Sequence, residues 1–325
     1  MNNFKKIGLS ALAGSLVAIS AHAAEVSLSG GASVAITSAS EADKTSYYMN
    51  DSVTLTVSGE TDNGLTVTTS LELDGDTGGG SYDNRSVAIG SDSMGTVTYS
   101  AHGGDSVMSG WDDVMPTAYE EVFALTKKAA DATTDGNTVI AGFGGNALWR
   151  YDSPSISGVS FHAAYQSAES AASGKTPAKV SAYSDVGIQI APEMVEGLTV
   201  GYAFGEYDET ATASIDVSTI WVKYAYGSFT IGMQESERDG STAANSDDSN
   251  SFGISYAVSD EFSVSYGQHE YEEGTDADVQ ESSGISASYT SGGVTVSTAF
   301  NATDNIQNDA AADEESFEIA VSFAF

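Results

Sequence analysis

The stretch Ser316-Phe317-Glu318-Ile319-Ala320-Val321-Ser322-Phe323-Ala324-Phe325 decides the fold class. Phe317, Ile319, Val321, Phe323 and Phe325 share one parity, and Ser316, Glu318, Ala320, Ser322 and Ala324 share the other. A period of two means a strand with one apolar and one polar face. The same pattern recurs at Val294, Val296 and Phe300 against Thr295, Ser297 and Asn301. It recurs again at Phe262, Val264 and Tyr266 against Ser263, Ser265 and Gly267. A soluble sandwich also alternates, with its apolar face inward. These segments, however, run to about ten residues, the length that crosses a bilayer at a tilt. Their apolar faces often carry Tyr or Phe near one end, as an interfacial girdle does. Short and long connections alternate along the chain. No internal stretch is long and apolar enough for a spanning helix, so a membrane location requires a closed barrel, because lipid cannot satisfy an open sheet edge.

Strands are expected near 25–37, 47–60, 64–74, 83–90, 95–102, 146–154, 158–166, 180–191, 197–207, 215–226, 228–237, 250–258, 261–271, 281–290, 293–302 and 315–325. The fold class is therefore all-β: a transmembrane antiparallel barrel of about sixteen strands, an even number, as single-chain bacterial barrels require. Tight turns such as Thr61-Asp62-Asn63 and Ser291-Gly292 suit the periplasmic side. Loops rich in Asp, Glu, Ser and Gly, such as 238–249 and 303–314, suit the exterior. One connection, 103–145, breaks the scale, and a loop of that length is usually functional. Within it Pro116 can open a short helix through Glu120, Glu121, Phe123 and Leu125, with the two acids favourable at its N-terminus.

Composition narrows the function. The chain has no cysteine, which removes disulfides and thiolate metal sites. Acidic residues outnumber basic ones 46 to 11, which argues against nucleic-acid binding, since phosphate contacts need clustered Lys and Arg. The acids recur in short clusters instead of one tail, which fits a surface or channel that attracts cations. At the start, Lys5 and Lys6 precede an apolar run from Ile7 to Ile19 and then Ala21-His22-Ala23. This reads as a Sec-type signal peptide, 1–23, cut between Ala23 and Ala24. The run falls short of the roughly 20 residues a spanning helix needs. The mature domain is 24–325.

The exported start Glu25-Val26-Ser27-Leu28-Ser29-Gly30, the segment Trp149-Arg150-Tyr151-Asp152-Ser153-Pro154 with Gly158, the long connection after the fifth strand and the terminal Phe325 together resemble the Gram-negative general diffusion porins, in their alphaproteobacterial form. The resemblance covers 24–325. It implies a homotrimer in the outer membrane, among outer-membrane lipid and lipopolysaccharide, with a water-filled pore through each subunit. It also implies a third external loop that folds into the lumen with its acids facing a row of bases on the wall. A C-terminal aromatic, here Phe325, is in that family also read by the barrel-assembly machinery.

Against that pattern the loop is rich in acids, Asp105, Asp112, Asp113, Glu120 and Glu121, but the basic wall is thin. Arg150 opposes Trp149 and Tyr151. If these face lipid, Arg150 faces the lumen, since a charge turned to lipid at the midplane costs roughly 2–4 kcal/mol. Lys223 opposes Val222, Tyr224 and Tyr226, which turns it inward. Arg85 shares parity with Val87 and Ile89 and is carried as a wall base by resemblance alone. The expected function is passive diffusion of small hydrophilic solutes and ions, with cations preferred because acidic linings concentrate them. Alternatives are a substrate-specific channel and a soluble secreted β-rich surface protein.

His102, His162 and His269 lie on polar parities of distant strands, without the short spacing of a metal site. Asp74-Gly75-Asp76 and Asp247-Asp248 offer oxygen ligands that suit Ca²⁺ at external acidic loops, but without the spacing of a calcium loop. No metal or other cofactor is assigned. Nor is an enzyme indicated: no Gly-x-Ser-x-Gly elbow, phosphate loop or His-Glu-x-x-His occurs.

Overall fold

The computed structural model describes residues 24–40, 44–74, 83–125, 139–167, 182–210, 213–276 and 278–325. The leader 1–23, Asp76 and loop residues 126–138 lie outside them.

Sixteen antiparallel strands close into one barrel. They are β1 Glu25–Ala39, β2 Lys44–Glu60, β3 Thr66–Asp74, β4 Arg85–Ser91, β5 Gly95–His102, β6 Leu148–Asp152, β7 Val159–Gln166 and β8 Tyr183–Ile190. After these come β9 Leu198–Thr210, β10 Ala213–Tyr226, β11 Phe229–Asp239, β12 Asp247–Ala257, β13 Phe262–Glu273, β14 Gln280–Ser291, β15 Val294–Asp304 and β16 Glu314–Ala324. Each strand pairs with its neighbours in sequence, and β1 closes on β16 from Gly31↔Ala324 to Ala39↔Ser316. Beyond the last pair, Phe325 and Gly30 exchange two backbone hydrogen bonds of 2.9 Å.

The period of two sets which way each side chain points. On β16, Phe317, Ile319 and Phe323 are exposed outside, while Ser316, Glu318 and Ala320 are buried inside. Outward aromatics, including Trp149, Phe161, Phe204, Tyr226, Phe229 and Tyr289, project from the wall of β6–β14. In water such exposure would be costly; against lipid it is the favourable arrangement.

Two expectations change. Short and long connections do not alternate throughout: β1 and β2 are joined by four residues, and β9 and β10 by the two between Thr210 and Ala213. The ladders continue past the apolar band, where backbone pairing needs no hydrophobic alternation, so the pattern cannot mark their ends. The helix after Pro116 is also absent. Residues 116–121 are irregular, a turn covers 122–125, and one 3₁₀ turn lies earlier at Ser109–Trp111.

Candidate functional site

The connection after β5 begins with a two-residue ladder, Gly104–Asp105 with Gly144–Gly145. Arg150 holds this root. Its Nε donates to both carboxylate oxygens of Asp152 at 3.0 and 3.1 Å, and its Nη1 to the carbonyls of Asp105 and Ser106 at 3.3 and 3.1 Å. Asp152 also meets His162 Nδ1 at 2.7 Å. Arg150 is inward as expected, and its donors are engaged by one acid and two carbonyls.

From the root, the chain runs against inward side chains of one strand after another. The Met108 N–H donates to Asp185 Oδ2 at 2.8 Å, and Tyr183 donates to the same oxygen at 2.9 Å. Trp111 packs edge-on against Trp221 and His162, with centroids 5.5 and 5.4 Å apart, and its carbonyl accepts from Gln234. Val107, Met108 and Trp111 join Ile215, Val217 and Trp221 in an apolar cluster on the inner face of β10. That cluster explains why Ile215, Val217 and Trp221 are apolar although they point inward.

Farther on, the Ala118 N–H donates to Ser265 Oγ at 2.9 Å and the Tyr119 N–H to Ser286 Oγ at 3.1 Å. These wall hydroxyls and Thr117 Oγ1, 3.2 Å from the Tyr119 N–H, accept the amide protons of 118–119 and tie this irregular stretch to the wall. The Tyr119 hydroxyl donates to Glu318 Oε1, and Tyr48 of β2 donates to Oε2 at 2.7 Å. Glu318 is fully buried. Asn301 donates to the Glu121 carbonyl at 3.2 Å, and Phe123 lies 4.5 Å from the His269 ring.

Close approach of this segment depends on glycine. Gly232, Gly253, Gly267 and Gly284 are successive register partners across β11–β14. A Cβ on Gly232 would lie 2.7 Å from Pro116 Cδ, and one on Gly267 2.9 Å from a Val122 methyl.

The five acids differ in setting. Asp105 and Asp113 are exposed; Asp112, Glu120 and Glu121 are half-buried. Burial, reinforced by the neighbouring Asp113, pushes the Asp112 carboxyl up to about 7. Burial likewise pushes Glu121 up to about 7, with Asp113 and Glu120 adding to it. Glu120 is raised by burial and by the charge of Glu318. These acids thus form one interacting group.

Lys223 is inward, its ammonium 5.3 Å over the Trp221 ring. Arg85 is not: it stands exposed on the outward side with Val87 and Ile89, and a register shift separates it from Ser86. Its parity outweighs the resemblance that placed it on the wall. A further inward base, Arg238, forms an ion pair with buried Asp247. Asp248, next in sequence, points outward opposite Glu237 and Glu272, so the strand pleat splits the Asp247–Asp248 pair expected to offer calcium ligands. Among the described residues no group of three His, Cys, Asp or Glu could hold a metal.

A closed sixteen-strand barrel with an apolar outer band and a polar inner wall defines an outer-membrane channel. The chain belongs to the Gram-negative porin family, whose model matches residues 8–283. Similar solved structures include an anion-selective porin from Comamonas acidovorans (15% identity, 93% of this chain and 100% of that one, TM-score 0.67). The trimer form of OmpT from Vibrio cholerae is also similar (11%, 93% and 99%, TM-score 0.67). So is Salmonella typhi OmpF, solved with daunomycin (13%, 92% and 97%, TM-score 0.67). No curated protein matches by sequence.

Proposed function

We propose that this protein lets small hydrophilic solutes and ions diffuse passively across the outer membrane, that residues 103–145 fold into its lumen and narrow it, and that cations are preferred. The observation that carries this reading is the run of bonds from the 108–121 segment to inward side chains from Asp185 to Glu318. Of the described inward bases, Arg150 and Arg238 are each held by an acid, which leaves Lys223 against the loop acids. Acids in excess over bases concentrate cations. The anion selectivity of the Comamonas porin does not carry over, because at 15% identity only the fold is shared.

The mature chain starts at Ala24 after removal of the leader, forms a homotrimer as OmpT from Vibrio cholerae does, sits among lipid and lipopolysaccharide, and uses Phe325 as a signal to the barrel-assembly machinery. Planar-bilayer recordings in a salt gradient test the central reading. Cation-selective channels are expected, and Asp112→Asn, Asp113→Asn, Glu120→Gln and Glu121→Gln together should reduce the preference. Absence of channels would sink the reading, and unchanged selectivity in the amide variant would remove these acids from the permeation path.

A further inference from the structure

The inner wall divides into two halves. From β8 to β16 it is largely closed off: Tyr183, Asp185, Trp221, Gln234, Asn301 and Glu318 each expose less than a tenth of their surface. On β1–β5 the inward side chains are half-buried or exposed, apart from buried Ala35 and Ser100. The segment 107–123 lies against the first half, and among the described residues the second half is the less covered one.

That open half has its own composition. One register row across it reads Thr56, Ser70, Ser86, Ser100. The next reads Ser58, Thr68, Ala88, Thr98 and ends on Arg150, whose guanidinium is already bound. The first row reaches the root of the loop, since a Cβ on Gly104 would collide with Ser100. Among the described side chains, no Lys or Arg points inward from these five strands, and Arg85 faces out. On the β1–β5 side, the exposed carboxylate of Asp113 and the half-buried ones of Glu120 and Glu121 therefore have no described base, and the base that acts on Asp113, Lys223, comes from β10.

A basic wall would draw anions along one side of the lumen. Hydroxyls carry no charge, yet they can replace part of a hydration shell. Hard metal cations prefer ligands made of oxygen, and oxygen dipoles substituting for hydration water are a known basis of cation passage. We propose that the serine and threonine face of β1–β5 is the specificity-determining wall of the channel, an oxygen surface that includes the inward Glu72 beside Ser70 and has no described inward base, along which hydrated metal cations pass, with the loop acids on the other side. This rests on the channel reading above.

The absence of cysteine allows a direct test. Single Ser70→Cys and Ser86→Cys variants are recorded in bilayers before and after a cationic methanethiosulfonate, with Ser297→Cys and Ser316→Cys, buried on the other half of the wall, as comparison. The first pair should react and lose conductance. Their K⁺ over Cl⁻ permeability ratio should fall on the order of fivefold, since a charge ~4 Å away in water is worth about 1 kcal/mol. The second pair should not respond. In a Ser70→Ala, Ser86→Ala double variant the ratio should fall while the size of excluded polyethylene glycols stays constant. A silent first pair with a responsive second, or an unchanged ratio in the double variant, overturns the role of this wall while leaving the channel intact. A wild-type protein without channels overturns the channel reading itself.

Discussion

Replacing Gly253 by valine tests how the loop is held. A Cβ at this position would stand 3.0 Å from both the Cδ and the carbonyl oxygen of Pro116. Favourable carbon contacts lie at about 3.5–4.0 Å, so even alanine asks Pro116 to retreat by about half an ångström. Valine adds two methyl groups, and neither the proline ring nor the strand backbone can rotate away. Overpacking of this kind costs about 1–3 kcal/mol. If the retreat also breaks the bonds from Ala118 to Ser265 and from Tyr119 to Ser286, each adds about 1 kcal/mol. The displacement is directed off β11–β12 toward the open half of the lumen, so single-channel conductance should fall, more for valine than for alanine. Gly59→Val is the control: a Cβ there meets nothing within 4 Å. If Gly253→Val conducts like Gly59→Val, Pro116 is not seated on this strand and the argument from close approach is wrong.

Selectivity should depend on pH. Asp112 and Glu121 are charged above about 7 and neutral below it, so cation preference should weaken as pH falls from 8.5 to 5.5. A flat reversal potential over that range would place both acids away from the ion path. Glu318→Ala leaves the hydroxyls of Tyr48 and Tyr119 without their acceptor. It should lower the thermal midpoint in detergent by the equivalent of roughly 1.5–3 kcal/mol, the usual value of bonds to a charged group. Tyr119→Phe removes one of the two bonds and should lose less; equal losses would mean Tyr48 contributes nothing. Deleting Phe325 removes two backbone bonds at the seam, but the proposed assembly role predicts a larger defect in cells than on refolding in detergent. Equal defects in both would reduce Phe325 to a seam residue.

The barrel was legible because lipid enforces the alternation: one misplaced charge on the outer band is costly, so parity at Phe317, Trp149 or Val264 reads almost without interference. Arg150 and Lys223 followed from the same rule, and Arg85 shows that rule outranking a resemblance. The loop was legible only as a length and a set of acids. Its path depends on Asp185, Gln234, Asn301 and Glu318, whose partners lie up to 199 residues away along the chain, and local spacing holds no trace of such pairs. Two signals did exist. Ile215, Val217 and Trp221 occupy inward positions where a water-facing wall would be polar, and glycine recurs at the inward centre of four successive strands. Both marked a wall covered by protein. The missing helix was not legible either, because the stretch that would have formed it is tied to Ser265 and Ser286 on remote strands.

The seam between β1 and β16 also bears on how the molecule is built. Its ladder joins Ser38 to Phe317 and Gly31 to Ala324, separations close to the full chain length, whereas every other ladder joins strands adjacent in sequence or bridges the long loop. Closing the longest loop carries the greatest entropic cost, although that cost grows only slowly with length. The other fifteen ladders can therefore form while two strand edges stay unpaired. An open edge has no satisfactory solvent in lipid. A half-built barrel is consequently stable nowhere inside the bilayer, and whatever escorts it there has to cover two edges at once and release them together.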